Sequence, residues 1–328
     1  MTIDSLLKCA KSAYKPFDSN SAERVNLVCE TLLAHFLGKN RVFLHSHSEK
    51  KIQDILRESA RDSTFAIARL ANASRGSPKK TKPQITPLAC HSERSEESKK
   101  IDSATLKTQL LDAISRLNCG YPLEYITKKV SFYSQDFFID CGALIPRTET
   151  ELLVDKAAQL IKKYDITKIY EIGVGSGIIS IMLCLLNPRI QIIATDISPT
   201  ALKIAQKNIT LKSALDSSLD SRILLVESDL LKSIDFNPKD SLIISNPPYI
   251  AEDYAIPQNL TYEPKNALFG GKNGDEILKE IIALNADFLC CEIGHNQGYL
   301  ADFLTQYKRV EFYKDYAGFL RGFVASKK

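Results

Sequence analysis

The chain predicts an α/β fold: a mostly parallel, seven-stranded sheet with helices on both faces, preceded by a small all-helical domain. Three observations carry that expectation. From Lys168 onward, apolar runs of strand length alternate with longer runs at helical spacing, which is the order of βαβ units. From Ile3 to about Leu44, apolar residues recur at helical spacing only. Between the two lies a stretch, about 50–103, in which neither period is sustained.

Taken in order, Val25, Leu27, Val28, Leu32, Leu33, Phe36 and Leu37 give an amphipathic helix that ends near Gly38. Residues 74–100 are rich in Ser, Lys, Pro and Glu with almost no aliphatic side chains, a composition that predicts disorder. Seven basic and three acidic residues between Arg75 and Lys100 leave an excess of four positive charges, equal to the net charge of the whole chain. A solvated linker is the expectation there, with contact to RNA as the alternative. Within it, Cys90 to Ser98 resembles a translated repeat element scattered in bacterial genomes, which would carry no function of its own.

Helical spacing resumes at Leu106, Leu110, Leu111, Ile114 and Leu117 and stops at the turn Cys119-Gly120-Tyr121-Pro122. Residues 125–145 alternate at Val130, Phe132, Phe137 and Ile139 and predict a β-hairpin between domains. A helix over 148–160 is expected to open on Thr148, with Glu151 three residues on completing a capping box. Strands are then predicted at 168–172, 190–195, 223–226, 242–245, 288–293, 310–313 and 319–324, and helices at 178–186, 201–211, 277–284 and 299–305. The expected domains are 1–122, helical and substrate-binding, with the insert at about 50–103; a hairpin linker, 123–146; and the α/β domain, 147–328.

Composition excludes several classes of function. At 328 residues, 44% hydrophobic and 25% charged, the chain suits a soluble globular protein of two domains. No run approaches the ~18 apolar residues of a membrane span. Met1 to Ala10 is a short amphipathic stretch containing Asp4 and Lys8, so a cytoplasmic location is expected. The eight cysteines include no C-x-x-C pair and several lie in apolar runs, as reduced core residues do. His45 and His47 lack companion ligands and read as loop residues; no metal is expected. A formal charge of +4 does not by itself argue for a nucleic-acid partner.

Two motifs carry chemistry. Asn246-Pro247-Pro248-Tyr249 follows the apolar run Leu242-Ile243-Ile244, where a buried strand would end. The Asn side-chain oxygen and a neighbouring backbone carbonyl suit the two hydrogens of a planar NH2 group, while the prolines fix φ near −65° and remove competing donors. Tyr249 can stack on the flat face. An amide nitrogen is a poor nucleophile, so holding its hydrogens and aiming its lone pair at an electrophile is useful catalysis. A plain proline turn is the alternative.

Upstream, the strand at 168–172 runs into Gly173-Val174-Gly175-Ser176-Gly177, which opens a helix: strand, glycine turn, helix is a ligand-binding order. Nineteen residues past Gly177 the next strand ends on Asp196, where a carboxylate would meet the hydroxyls of a ribose. The turn is GxGxG and not the GxGxxG of a dinucleotide pyrophosphate, so S-adenosylmethionine fits better than NAD. Its sulfonium methyl is also the electrophile that an Asn-Pro-Pro-Tyr site needs.

With these residues the chain resembles the HemK/PrmC family, S-adenosylmethionine-dependent methyltransferases that modify the glutamine of Gly-Gly-Gln in peptide chain release factors. The likeness spans nearly the whole chain apart from the insert. It rests on Gly120 to Ile126, Leu144 to Glu151, Glu171 to Gly177, Asp196, Asn246 to Tyr249, Tyr262-Glu263-Pro264 with Ala267-Leu268, and Glu292-Ile293-Gly294 with Gln297. The resemblance implies a Rossmann-like S-adenosylmethionine-dependent methyltransferase fold and N5-methylation of the release-factor glutamine. It implies a cofactor site of Gly173, Val174, Gly175, Ser176, Gly177, Asp196, Asp229, Leu230 and Asn246. The glutamine amide would be held by the Asn246 side chain and the Pro247 carbonyl, with Tyr249 packed against it and Pro248 shaping the turn. Arg147 and Glu149 are expected either to help close the cofactor pocket or to serve structure, and Glu263 either to approach the substrate or to pair with a cation. The partner implied is a release factor, with no membrane and no nucleic acid required. The sequence does not fix oligomeric state, and a monomer is the working expectation. Alternatives are a ribosomal-protein glutamine methyltransferase and a DNA or RNA amino-methyltransferase. The insert falls in the region that meets the release factor in the family, so docking of the substrate is the property most open to change.

Overall fold

The computed structural model describes residues 1–15, 22–59 and 102–328. Most of the predicted insert, including the repeat-like segment Cys90 to Ser98, lies outside the described residues. The chain divides into two compact units, Met1–Leu123 and Glu124–Lys328.

The first unit is helical: α1 (Ile3–Ala13), α2 (Ala22–Leu37), α3 (Arg41–Ser46), α4 (52–59) and α5 (Ser103–Asn118). Thr2 caps α1, its hydroxyl accepting from the Ser5 amide while Ser5 Oγ accepts from the Thr2 amide, so two orphan donors are satisfied. Helices α1, α2 and α5 pack on one another, and Ile3, Leu6, Cys29, Leu32, Leu33, Leu106 and Leu110 are sealed from solvent. Of the predicted apolar face of α2, Leu27 is instead 45% exposed, because it lies off the stripe set by Val28, Leu32 and Leu33. Gly38 ends the helix at φ +60°, a conformation that favours glycine.

The division falls after the first residue of α6 (Leu123–Thr127), and the second unit continues with the hairpin β1 (Lys129–Phe132) and β2 (Gln135–Phe138). The strands are therefore shorter than the alternation over 125–145 suggested. Tyr125 is buried in a helical turn and its hydroxyl donates to the Ala143 carbonyl at 2.7 Å, which holds that segment out of the hairpin. Tyr133 and Ser134 both take positive φ, the two-residue turn that matches strand twist.

Seven further strands form one sheet in the order β5-β4-β3-β6-β7-β9-β8. They are β3 (Lys168–Ile172), β4 (Gln191–Asp196), β5 (Ile223–Glu227), β6 (Ser241–Ser245), β7 (Phe288–Glu292), β8 (Arg309–Lys314) and β9 (Leu320–Ser326). Only β9 runs against the rest, antiparallel to both β7 and β8. Helix α7 (Thr150–Tyr164) precedes β3, and α8 (Ile178–Leu186), α9 (Pro199–Lys212), α10 (Leu219–Arg222) and α11 (Glu276–Ala283) lie between the strands. Period-two alternation sorts β3 between two faces: Tyr170 and Ile172 join the core of Leu278, Ile281 and Phe323, while Glu171 meets Ser180 of α8. Every residue of β6 and β7 is buried, as expected for strands covered on both faces.

Two expected details differ. Helix α7 starts at Thr150, with Glu149 at its N-cap and no side-chain cap. The capping box on Thr148 does not form, because Glu151 instead accepts from the Tyr133 amide at 2.7 Å. The segment expected as a helix at 299–305 is a 3-10 turn, Gly298–Phe303.

Candidate active site

Register brings three motifs to one level. Ile172 of β3 pairs with Thr195 of β4 on one side and with Ser245 of β6 on the other, so Gly173, Asp196 and Asn246 all emerge together at the C-terminal edge. That edge, in an open parallel sheet, is where ligands bind.

The glycine turn is built by backbone. The amides of Gly173 and Val174 both donate to the Thr195 carbonyl at 2.9 Å, and the Gly175 amide donates to Asp196 Oδ2 at 2.8 Å. At Gly175, φ is +54° and a Cβ would meet nothing within 4 Å, so the residue is required for its conformation and leaves open space in front of it. At Gly177, φ is +82° and a Cβ would lie 3.0 Å from that of Ala205, so the residue also allows close packing of α9. Ser176 is buried, and its carbonyl accepts from Asn208 Nδ2 at 2.8 Å. The same Asn208 accepts from the Phe138 amide at 2.7 Å, tying hairpin, turn and α9 together.

A cavity of roughly 300 Å³ opens beyond this turn, lined by Gly173 to Ser176, Asp196, Ile197, Asp229, Leu230 and Asn246. Gly177 does not line it. Asp196 Oδ1 accepts from the Ser198 amide at 2.9 Å and Oδ2 from the Gly175 amide, which leaves lone pairs on the carboxylate for a ligand. Burial pushes its carboxyl above the ordinary range, opposed by the Gly175, Ser198 and Ile197 amides. Apolar walls, open glycines and one carboxylate with free lone pairs fit a ribonucleoside without phosphates.

Asn246, Pro247 and Pro248 line this cavity and also a second of about 320 Å³, on whose wall Tyr249, Arg147 and Glu292 lie. The tetrapeptide is thus a partition between two spaces. Asn246 Nδ2 donates to Thr150 Oγ1 at 3.2 Å, Thr150 Oγ1 donates to Glu292 Oε2 at 2.9 Å, and the Tyr249 hydroxyl donates to Glu292 Oε1 at 3.3 Å. One N–H of the Asn246 amide is therefore engaged by Thr150, and its oxygen remains as an acceptor. Burial holds the Tyr249 hydroxyl above its ordinary range, so it stays a donor.

Arg147 lines the second cavity and not the first, and Glu149 lines neither, so they do not close the pocket beside the glycine turn. Arg147 Nη2 donates to Glu263 Oε1, and Glu263 Oε2 accepts from the Ile145 amide at 2.8 Å. Glu263 is thus the buried partner of a cation. Thr150 and Glu292 are site residues that sequence reasoning assigned no role. The available signal was that the wholly apolar strand β7 ends on an acid, as β4 ends on Asp196.

A family model described as "Methyltransferase small domain" matches residues 148–273. A protein of Moorella thermoacetica named release factor glutamine methyltransferase is 35% identical over 228 residues, 66% of this chain and 78% of that protein. Proteins of the same name from Koribacter versatilis and Dictyoglomus turgidum are 38% and 41% identical, over 52% and 50% of this chain. In those two, the match spans 59% and 58% of the relative's length.

Proposed function

The chain belongs to the release factor glutamine methyltransferase family, and we propose that it methylates N5 of the Gly-Gly-Gln glutamine in peptide chain release factors, using S-adenosylmethionine. The observation that carries this reading is the Asn246 carboxamide, whose nitrogen is engaged by Thr150 and whose oxygen is left at a partition between two cavities. S-adenosylmethionine, when bound beside Gly173 to Gly177 and Asp196, supplies an electrophilic methyl group. Asn246 Oδ1 and the Pro247 carbonyl accept the two hydrogens of the glutamine NH2, and Tyr249 covers its flat face. Fixing both hydrogens aims the nitrogen lone pair along one line, which removes most of the orientational cost of the reaction. The methylated nitrogen is acidic enough to lose its proton afterwards without a strong base beside it. On this reading residues 147–328 carry the transfer, 123–146 link, and the helical unit meets the release factor.

The test is to incubate the protein with labelled S-adenosylmethionine, a purified release factor, ribosomal proteins and DNA together, and to locate the label by mass spectrometry. Label on the Gly-Gly-Gln glutamine is expected. Label only on a ribosomal protein or on DNA overturns the proposed substrate.

A further inference from the structure

Beneath Asn246 lies a hydrogen-bond chain with a direction. Glu292 is 2% exposed, and its Oε2 accepts from Thr150 Oγ1, whose oxygen in turn faces Asn246 Nδ2. A carboxylate has only acceptors, and a hydroxyl has a single proton. Once Thr150 has given its proton to Glu292, it offers Asn246 only lone pairs, so the amide must turn its NH2 toward Thr150. The Asn246 oxygen is then left for the cavity. Were the Thr150 proton released, it could turn to Asn246 instead and either face of the amide would fit. The flipped amide would present donors to the donors of an incoming NH2 group.

We propose that Glu292 is a positioning residue which, through Thr150, holds the Asn246 carboxamide with its oxygen toward the acceptor nitrogen. This rests on the reading that Asn246 binds a carboxamide. Burial pushes the Glu292 carboxyl up to about 7, the hydrogen bonds from Thr150 and Tyr249 and the charge of Arg321 opposing it and Glu149 adding to it. The groups facing it are Glu149 and Thr150 at the start of α7, Tyr249 after β6, Tyr313 of β8, and Arg321 of β9, itself paired with Asp315 at 2.7 Å. Below neutral pH Glu292 takes a proton, the direction of the chain is lost, and turnover falls.

The experiment measures kcat and KM for a release factor between about pH 5.5 and 8.5 for the wild type, Thr150→Val, Thr150→Ser and Glu292→Gln, with cofactor affinity by calorimetry. Thr150→Val is expected to lose about 10- to 100-fold in kcat, as other orienting partners do, with cofactor affinity within about threefold. Thr150→Ser restores most of it. Wild-type kcat falls toward tenfold per pH unit below ~7, and Glu292→Gln flattens that limb. In parallel, the side-chain amide resonances of Asn246 are followed by NMR over the same pH range without substrate: they titrate in the wild type and not in Glu292→Gln. Full kcat in Thr150→Val, identical pH profiles in wild type and Glu292→Gln, or Asn246 resonances that do not titrate each overturn the proposal. If the wild type leaves the release factor unmodified, it is the proposed function that fails, and the Asn246 titration alone decides the positioning. If Thr150→Val does not fold, Thr150→Ser and Glu292→Gln decide it.

Discussion

The turns that follow β3 and β6 leave neighbouring parallel strands at the same level, yet they are built by opposite means. After β3, three glycines take positive φ with their amides spent within the fold, and Gly173 and Gly175 keep the space in front of them open. After β6, two prolines remove backbone donors, and a side chain supplies the polarity. Each turn is backed by a buried carboxyl pushed upward by burial, Glu171 to about 8 and Glu292 to about 7. They differ in how those carboxyls are satisfied. Glu292 accepts at both oxygens. Among the described residues Glu171 accepts from Ser180 at one, and its Oε1 has no partner. The glycine turn is shaped mainly by its own backbone hydrogen bonds, whereas an oriented side chain needs other side chains to fix its direction.

The comparison breaks or sharpens under substitution. Asn246→Ala is expected to lower kcat by about 10²–10³, in the manner of a lost transition-state contact, with cofactor affinity little changed. A parallel loss of cofactor binding, read by calorimetry, would erase the division of labour. Gly177→Ala forces a side chain into φ +82° and against Ala205, so urea unfolding should show a loss of about 1–3 kcal/mol. Gly175→Ala meets open space and pays only the left-handed strain of about 1–2 kcal/mol, with its larger effect on cofactor affinity.

Smaller effects follow. Glu263→Gln keeps an acceptor for the Ile145 amide but removes the charge that holds Arg147, so KM for the release factor should rise about threefold at constant kcat. Glu171→Gln acts on stability alone. The Glu171 carboxyl rises from its ordinary 4.5 to about 8 in the folded chain, so its contribution is full below about pH 4.5 and is lost as pH rises through about 8. Gln does not titrate, so the Tm advantage of the variant should grow with pH, from near zero at acid pH to several degrees at alkaline pH. An advantage independent of pH would mean that Glu171 is not the buried acid described.

What could be read in the sequence follows from where chemistry meets local pattern. Gly173 to Gly177, Asp196 and Asn246 each stand where an apolar run stops, so strand period and motif point to the same residue. Strands β4 to β7 were legible for the same reason, since each is built on a short apolar run, while β8 and β9 carry charged residues within them. Thr150 and Glu292 touch across 142 residues, a pairing with no period along the chain. The helix start was misread because Thr148 and Glu151 fit a capping box locally, while Tyr133 of the hairpin claims Glu151 in the folded unit. Leu27 shows the same limit, since its hydrophobicity says nothing of which side of the stripe it takes.

The most direct test is a crystal structure with S-adenosylhomocysteine and a Gly-Gly-Gln peptide. The glutamine NH2 should donate to Asn246 Oδ1 and to the Pro247 carbonyl, each at about 2.7–3.2 Å, with the Asn246 nitrogen still on Thr150. A glutamine bound away from Asn246, or an Asn246 oxygen turned back onto Thr150, would contradict the account.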